Sequence, residues 1–154
     1  MKFSTREDIE APVDYVFAQV SDFAAFERRA MRQGADVKRR EDGPIVQGAI
    51  WDISFQFRGR DRRVLAELTQ LDVPTLLSID NASDGLNAVT EVELIALSQT
   101  RTRVLVSFDL RAKTLTARLL LQSLKLAKTK MTKRFNARVL DYAEDIEDRY
   151  RRDA

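Results

Sequence analysis

The side chains able to do chemistry here are carboxylates, hydroxyls, lysines and guanidinium groups, because the 154 residues include no histidine and no cysteine. Without imidazole the chain lacks the commonest general base, the commonest zinc ligand and any Ser-His-Asp or Cys-His pair. Without a thiol it has no disulfide, thiolate nucleophile or Cys metal site. Catalysis by carboxylate, tyrosine or lysine remains open. Asp52, Glu67, Asp80, Glu91, Glu93 and Asp109 are the carboxylates with that potential. Alternation turns most of them away from the apolar rows of their strands, and their spacing singles out no pair. We therefore assign no catalytic residue and expect no metal and no other cofactor.

What the spacing does assemble is an apolar surface with a few polar groups on it. Trp51, Ile53 and Phe55 alternate along one strand, Val64 and Leu68 along the next, and Val92, Val106 and Phe108 along two more. These rows face Leu124, Met131 and Phe135 on a terminal helix. They make either a solid core or the wall of an adaptable apolar pocket, for which aromatic and thioether side chains are suited. Thr90 shares a row with Val92, and Tyr142 lies on the helix stripe, so each is placed to orient a ligand. Arg62 shares a row with Val64, but its position near Gly59 suggests an exposed strand end.

The elements that must hold these residues follow from periodicity. Phe3 to Ile9 reads as a first strand. Pro12 then opens a short helix with Val13, Val16, Phe17 and Val20 on one face, and Asp22 caps a second with Phe23, Phe26, Ala30 and Met31. After Gly34 the period changes from 3.6 to 2. Strands are expected over 35–40, 49–58, 60–72, 76–81, 87–98 and 100–112. From Thr114 to Arg151 there is no Gly or Pro, and apolar residues from Leu120 to Tyr150 recur at steps of three and four, which predicts one continuous helix. Short turns between consecutive strands favour an antiparallel sheet, and only this helix is long enough to cover it.

Several features bound the function. The net charge is +2, from 26 basic and 24 acidic residues, too even to argue for nucleic acid. No run approaches a membrane span, and the charged start Met1-Lys2-Phe3-Ser4-Thr5-Arg6 has no signal-peptide core, so a cytoplasmic location is expected. The basic stretch Phe57-Arg58-Gly59-Arg60-Asp61-Arg62-Arg63 could contact phosphates or an acidic partner, and reads more simply as a charged hairpin tip. Lys125, Lys128, Lys130, Lys133, Arg134 and Arg138 read as a solvated helix back. Leu119 and Leu126 point roughly opposite the main stripe. They are expected either to be covered by a loop or the short helices, or to dock on a membrane surface or a second subunit.

Ile9-Glu10-Ala11-Pro12-Val13, followed by Val16-Phe17 and Ser21-Asp22-Phe23, resembles the opening of the START-like (SRPBCC) superfamily, often labelled polyketide cyclase/dehydrase and lipid transport. The long helix from Leu119 to Tyr150 resembles that family's terminal helix. The resemblance implies one START-like domain over residues 1–154. Its fold would be α+β helix-grip: a curved antiparallel sheet of about seven strands around the terminal helix, with two short helices between strands 1 and 2. It also implies an apolar cavity that binds a hydrophobic small molecule such as a lipid, quinone or polyketide-like compound. The alternatives are an aromatase/cyclase-type enzyme and a ligand-free adaptor that docks on a larger assembly.

Overall fold

The computed structural model describes residues 1–154 and begins with strand β1 (Lys2–Ile9), where Phe3 and Ile9 are buried while Lys2, Ser4 and Arg6 face water. Pro12, extended at φ −63°, sets the backbone just ahead of helix α1 (Val13–Val20), which buries Val16, Phe17 and Val20. Asp22 starts helix α2 (Phe23–Arg32) by accepting the Ala25 N–H at 3.1 Å. Gly34, at φ 95°, takes the chain out of that helix.

Six more strands follow: β2 (Asp36–Arg39), β3 (Ile50–Phe57), β4 (Arg60–Asp72), β5 (Leu76–Ser83), β6 (Leu86–Ser98) and β7 (Arg101–Ala112). Arg58-Gly59 and Asp84-Gly85 turn the β3–β4 and β5–β6 hairpins with positive φ at both residues, the conformation that matches the twist of the flanking strands. The seven strands form one antiparallel sheet in the order β1-β7-β6-β5-β4-β3-β2. A register shift between Leu68 and Gln70 on β4 is the irregularity that bends such a sheet.

Register carries apolar side chains straight across the concave face. Trp51, Ala66, Asn81, Ala88 and Leu110 are successive cross-strand neighbours, and so are Leu68, Ile79, Thr90, Phe108 and Phe3. The buried core joins these rows to α1 and the terminal helix through Val16, Phe17, Val20, Ala143 and Ile146.

The expected continuous terminal helix is broken. Helix α3 (Leu115–Lys125) is followed by α4 (Lys128–Asp153), with Ala127 at φ −104°, ψ 11° between them. No Gly or Pro causes the break. The chain tightens instead, as the N–H groups of Leu126 and Ala127 donate to the carbonyls of Ser123 and Leu124 three residues back. Tertiary packing decides it. α3 seats Ala117 and Leu121 on β7, whereas α4 runs beside β1 and buries Ala143 and Ile146. A straight helix of ~57 Å would overhang a domain of this size; two segments keep both buried faces on the sheet.

Candidate functional site

Because α4 runs beside β1, the middle of the concave face is left to the short helices, and these do not fill it. Two apolar lobes remain. One, of about 240 Å³, lies between α2 and the sheet, and eight of its ten lining residues are hydrophobic, including Phe23, Phe26, Trp51, Ile53 and Ile79. The other, of about 300 Å³, lies between α4 and β6–β7, and eleven of its twelve lining residues are hydrophobic, including Val92, Val106, Phe135, Val139 and Tyr142. Phe26 lines both, so this one ring on α2 stands between the lobes. Phe26 is 37 % exposed, with its ring 6.3 Å from that of Tyr142 and the Arg29 guanidinium 5.6 Å from its centroid.

The largest depression, about 650 Å³, lies on the convex face among Asp36, Lys38, Asp52, Arg63, Asp84 and Lys113. It is open and lined mainly by polar and charged side chains, as expected of the solvated side of a half-buried sheet. The carboxylates singled out in the sequence belong to that outer side. Arg40 donates two bonds to Asp52 at 2.9 and 3.0 Å, and this pairing holds the Asp52 carboxyl below its ordinary range. Asp80 accepts from Asn87 at 2.8 Å, Asp109 from Arg111 at 3.0 Å, and Glu91 and Glu93 border another outer depression with Lys2 and Arg6. Glu67 pairs across strands with Asp80 on the same face.

On the concave side the polar groups are few, and most are engaged. The Trp51 indole N–H donates to Glu27 of α2 at 2.7 Å, tying that helix to the sheet side of the first lobe. Asn81 donates to the Ala88 carbonyl at 3.3 Å. The Tyr142 hydroxyl donates to the Gln19 carbonyl at 3.2 Å, and withdrawal from water pushes it up to about 12 against the weaker opposing pull of Arg29 and Arg149. Arg138, read from sequence as part of a solvated helix back, borders the second lobe. Arg62, expected at an exposed strand end, is half-buried opposite Phe55, and its Nε is shielded from solvent without a hydrogen-bond partner.

Of the residues picked by alternation, Trp51 and Ile53 line the first lobe, and Val92, Val106, Phe135 and Tyr142 line the second. Phe55, Val64, Thr90 and Phe108 are half-buried on the same concave rows without lining either lobe, and Leu68 is fully buried in the core. Leu124 and Met131 are half-buried on either side of the helix break. The alternation passed over Phe26, Glu27 and Asn81. The signal for Phe26 was present, since it shares a helix face with Phe23 and Ala30. That α2 spans both lobes is a fact of packing, and no local pattern reports it.

No protein-family model matches the chain, and no curated protein sequence matches it significantly. Solved structures do match. The ZhuI aromatase/cyclase from Streptomyces sp. R1128 is 15% identical with a TM-score of 0.60, covering 94% of this chain and 93% of its own. Norcoclaurine synthase from Thalictrum flavum, in complex with dopamine and hydroxybenzaldehyde, is 14% identical with a TM-score of 0.63 over 96% of this chain and 84% of its own. Ara h 8.0201 is 16% identical with a TM-score of 0.53, covering 92% of this chain and 98% of its own. At these identities the shared feature is the path of the backbone.

Proposed function

The chain has the helix-grip fold of the START-like superfamily, and on that fold we propose that it binds a hydrophobic small molecule between the concave face of the sheet and helices α2 and α4. The observation that carries the reading is the pair of apolar lobes, about 240 and 300 Å³, which share the partly exposed Phe26 ring as a wall. A small movement of that side chain joins them into one site in the size range of small-molecule pockets. Norcoclaurine synthase, with dopamine and hydroxybenzaldehyde bound, supports small aromatic compounds as the ligand class.

The ligand is amphipathic in this reading. Its body occupies the lobes, and a carbonyl or acidic end extends beyond them along the β3–β4 rows to Arg62, which lines neither lobe but whose shielded Nε lacks a partner. Binding is favoured over turnover because three of the four polar groups bordering the lobes, Glu27, Asn81 and Tyr142, are engaged, and the fourth, Arg138, is a cation and no base. Tyr142, pushed up to about 12, holds its proton at neutral pH, and Glu27 is committed to Trp51. A cyclase-type reaction, for which the ZhuI aromatase/cyclase is the precedent, is the second reading.

Native mass spectrometry of freshly purified protein tests the proposal. An apolar adduct that solvent extraction removes is the expected result. Only the bare protein mass, from several expression hosts and without any adduct after incubation with small aromatic compounds, contradicts it.

A further inference from the structure

Helix α3 is apolar on two opposite sides, and only one of them is used for packing. Ala117 and Leu121 are buried against β7. On the other side Leu115 is 72% exposed, Leu119 58% and Leu126 93%, the last being the most exposed large hydrophobic residue in the chain. At 100° per residue these three leucines fall within about 40° of arc, since Leu126 keeps helical dihedrals as the cap of α3. Solvation does not explain such a stripe, and neither the short helices nor a loop covers it.

The charge around the stripe is equally one-sided. Between residues 110 and 140 there are nine Lys or Arg and no Asp or Glu, while the rest of the chain holds 17 basic and 24 acidic residues, net −7. Arg118 and Lys125 flank the leucines on α3, and Lys128, Lys130 and Lys133 continue from its end into α4.

We propose that α3 and the first turns of α4 dock on the surface of a bilayer containing anionic lipid. Leu115, Leu119 and Leu126 enter the headgroup–acyl boundary, and the flanking lysines and arginines meet the lipid phosphates. The docking is peripheral, because no helix of the protein is long and apolar enough to cross a membrane. A second copy of the chain fits this face poorly. A two-fold contact through α3 brings the same cations against themselves, with no carboxylate in the segment to neutralise them. Docking also places the α3–α4 break at the lipid. Phe135 of the second lobe lies two turns beyond that break. The surface inference stands on exposure and charge alone and does not need the cavity to be occupied.

Vesicle co-sedimentation tests it, with phosphatidylcholine vesicles containing about one-third phosphatidylserine compared with phosphatidylcholine alone. The wild-type chain is expected to sediment with the anionic vesicles only, and binding should fall at least tenfold between roughly 0.05 and 0.5 M salt as screening shortens. Leu119→Ser with Leu126→Ser should weaken binding about tenfold or more, and Lys125→Glu with Lys128→Glu should abolish it. Both pairs are surface positions, so unchanged circular dichroism and thermal midpoint are expected. Equal binding to neutral vesicles, no binding to anionic ones at low salt, or a double-leucine variant that binds like wild type overturns the proposal. So does a concentration-dependent dimer in analytical ultracentrifugation that the same leucine changes dissolve, since the stripe then serves a second copy.

Discussion

Replacing Phe135 with alanine separates a cavity wall from a filled core. The Phe135 ring lies 5.9 Å from Phe3 at an interplanar angle of 44°, while it also lines the 300 Å³ lobe and is itself half-buried. Truncating a fully packed phenylalanine costs ~3–5 kcal/mol, part of it for the void left behind. Here the void opens into space that already exists, so that part is small. What remains is about 1–1.5 kcal/mol for half the transfer free energy of the ring, plus roughly 0.5–1 kcal/mol for the Phe3 pair. The expected loss is about 2 kcal/mol. Leu68, at 0% exposure, provides the comparison, and Leu68→Ala should cost about 4 kcal/mol. Urea denaturation of both variants, with a shared m-value, checks the order. The larger side chain should cost less. A Phe135→Ala loss equal to or above that of Leu68→Ala refutes the reasoning and makes the concave side a solid core.

Further outcomes follow from single contacts. Tyr142 favours the native state while protonated, so its contribution is complete below the unfolded phenol value of ~10 and is lost as pH rises toward about 12. The stability difference between wild type and Tyr142→Phe, about 1 kcal/mol at neutral pH for the Gln19 hydrogen bond, should shrink above pH ~10; a difference that stays constant over that range contradicts the buried phenol. At Gly85, φ is 78° and an added Cβ would meet the Thr114 hydroxyl at 2.6 Å, the group that caps α3. Gly85→Ala should therefore cost ~2–3 kcal/mol through the left-handed backbone and the lost cap, and a change within ~0.5 kcal/mol speaks against it. Arg62→Met removes a shielded donor without a partner and should raise stability by about 1 kcal/mol in urea while weakening ligand binding. A drop in stability shows that the arginine is satisfied in the native protein.

The strands and the two short helices were legible because their signals are local. Alternation from Trp51 to Phe57, Asp22 ahead of Phe23, and the Asp84-Gly85 turn each act within a few residues. The helix break was not legible. The stripe of steps three and four runs unbroken through Leu124, Ala127 and Met131, and the competing demands of β7 on α3 and β1 on α4 arise only in the folded protein. Arg62 shows the same limit at one residue. Its row pointed inward, yet nearness to the hairpin argued for an exposed end, and only the cross-strand partner Phe55 shows that the inward row continues that far. Alternation identifies which side chains share a face, but not whether the space between two faces is filled.

A ligand on the concave side of the sheet would lie beside Trp51, the only tryptophan in the chain and a wall of the first lobe. Excitation of Trp51 during titration with 1-anilinonaphthalene-8-sulfonate reports any probe bound beside it by energy transfer. Saturable transfer at one probe per chain is the expected result. Ala30→Leu and Val139→Phe, which fill the first and second lobes respectively, should each weaken binding about tenfold by adding methylenes to the space the probe needs. An absence of transfer in the wild type, or binding that both filled variants leave unchanged, contradicts a ligand site on this face.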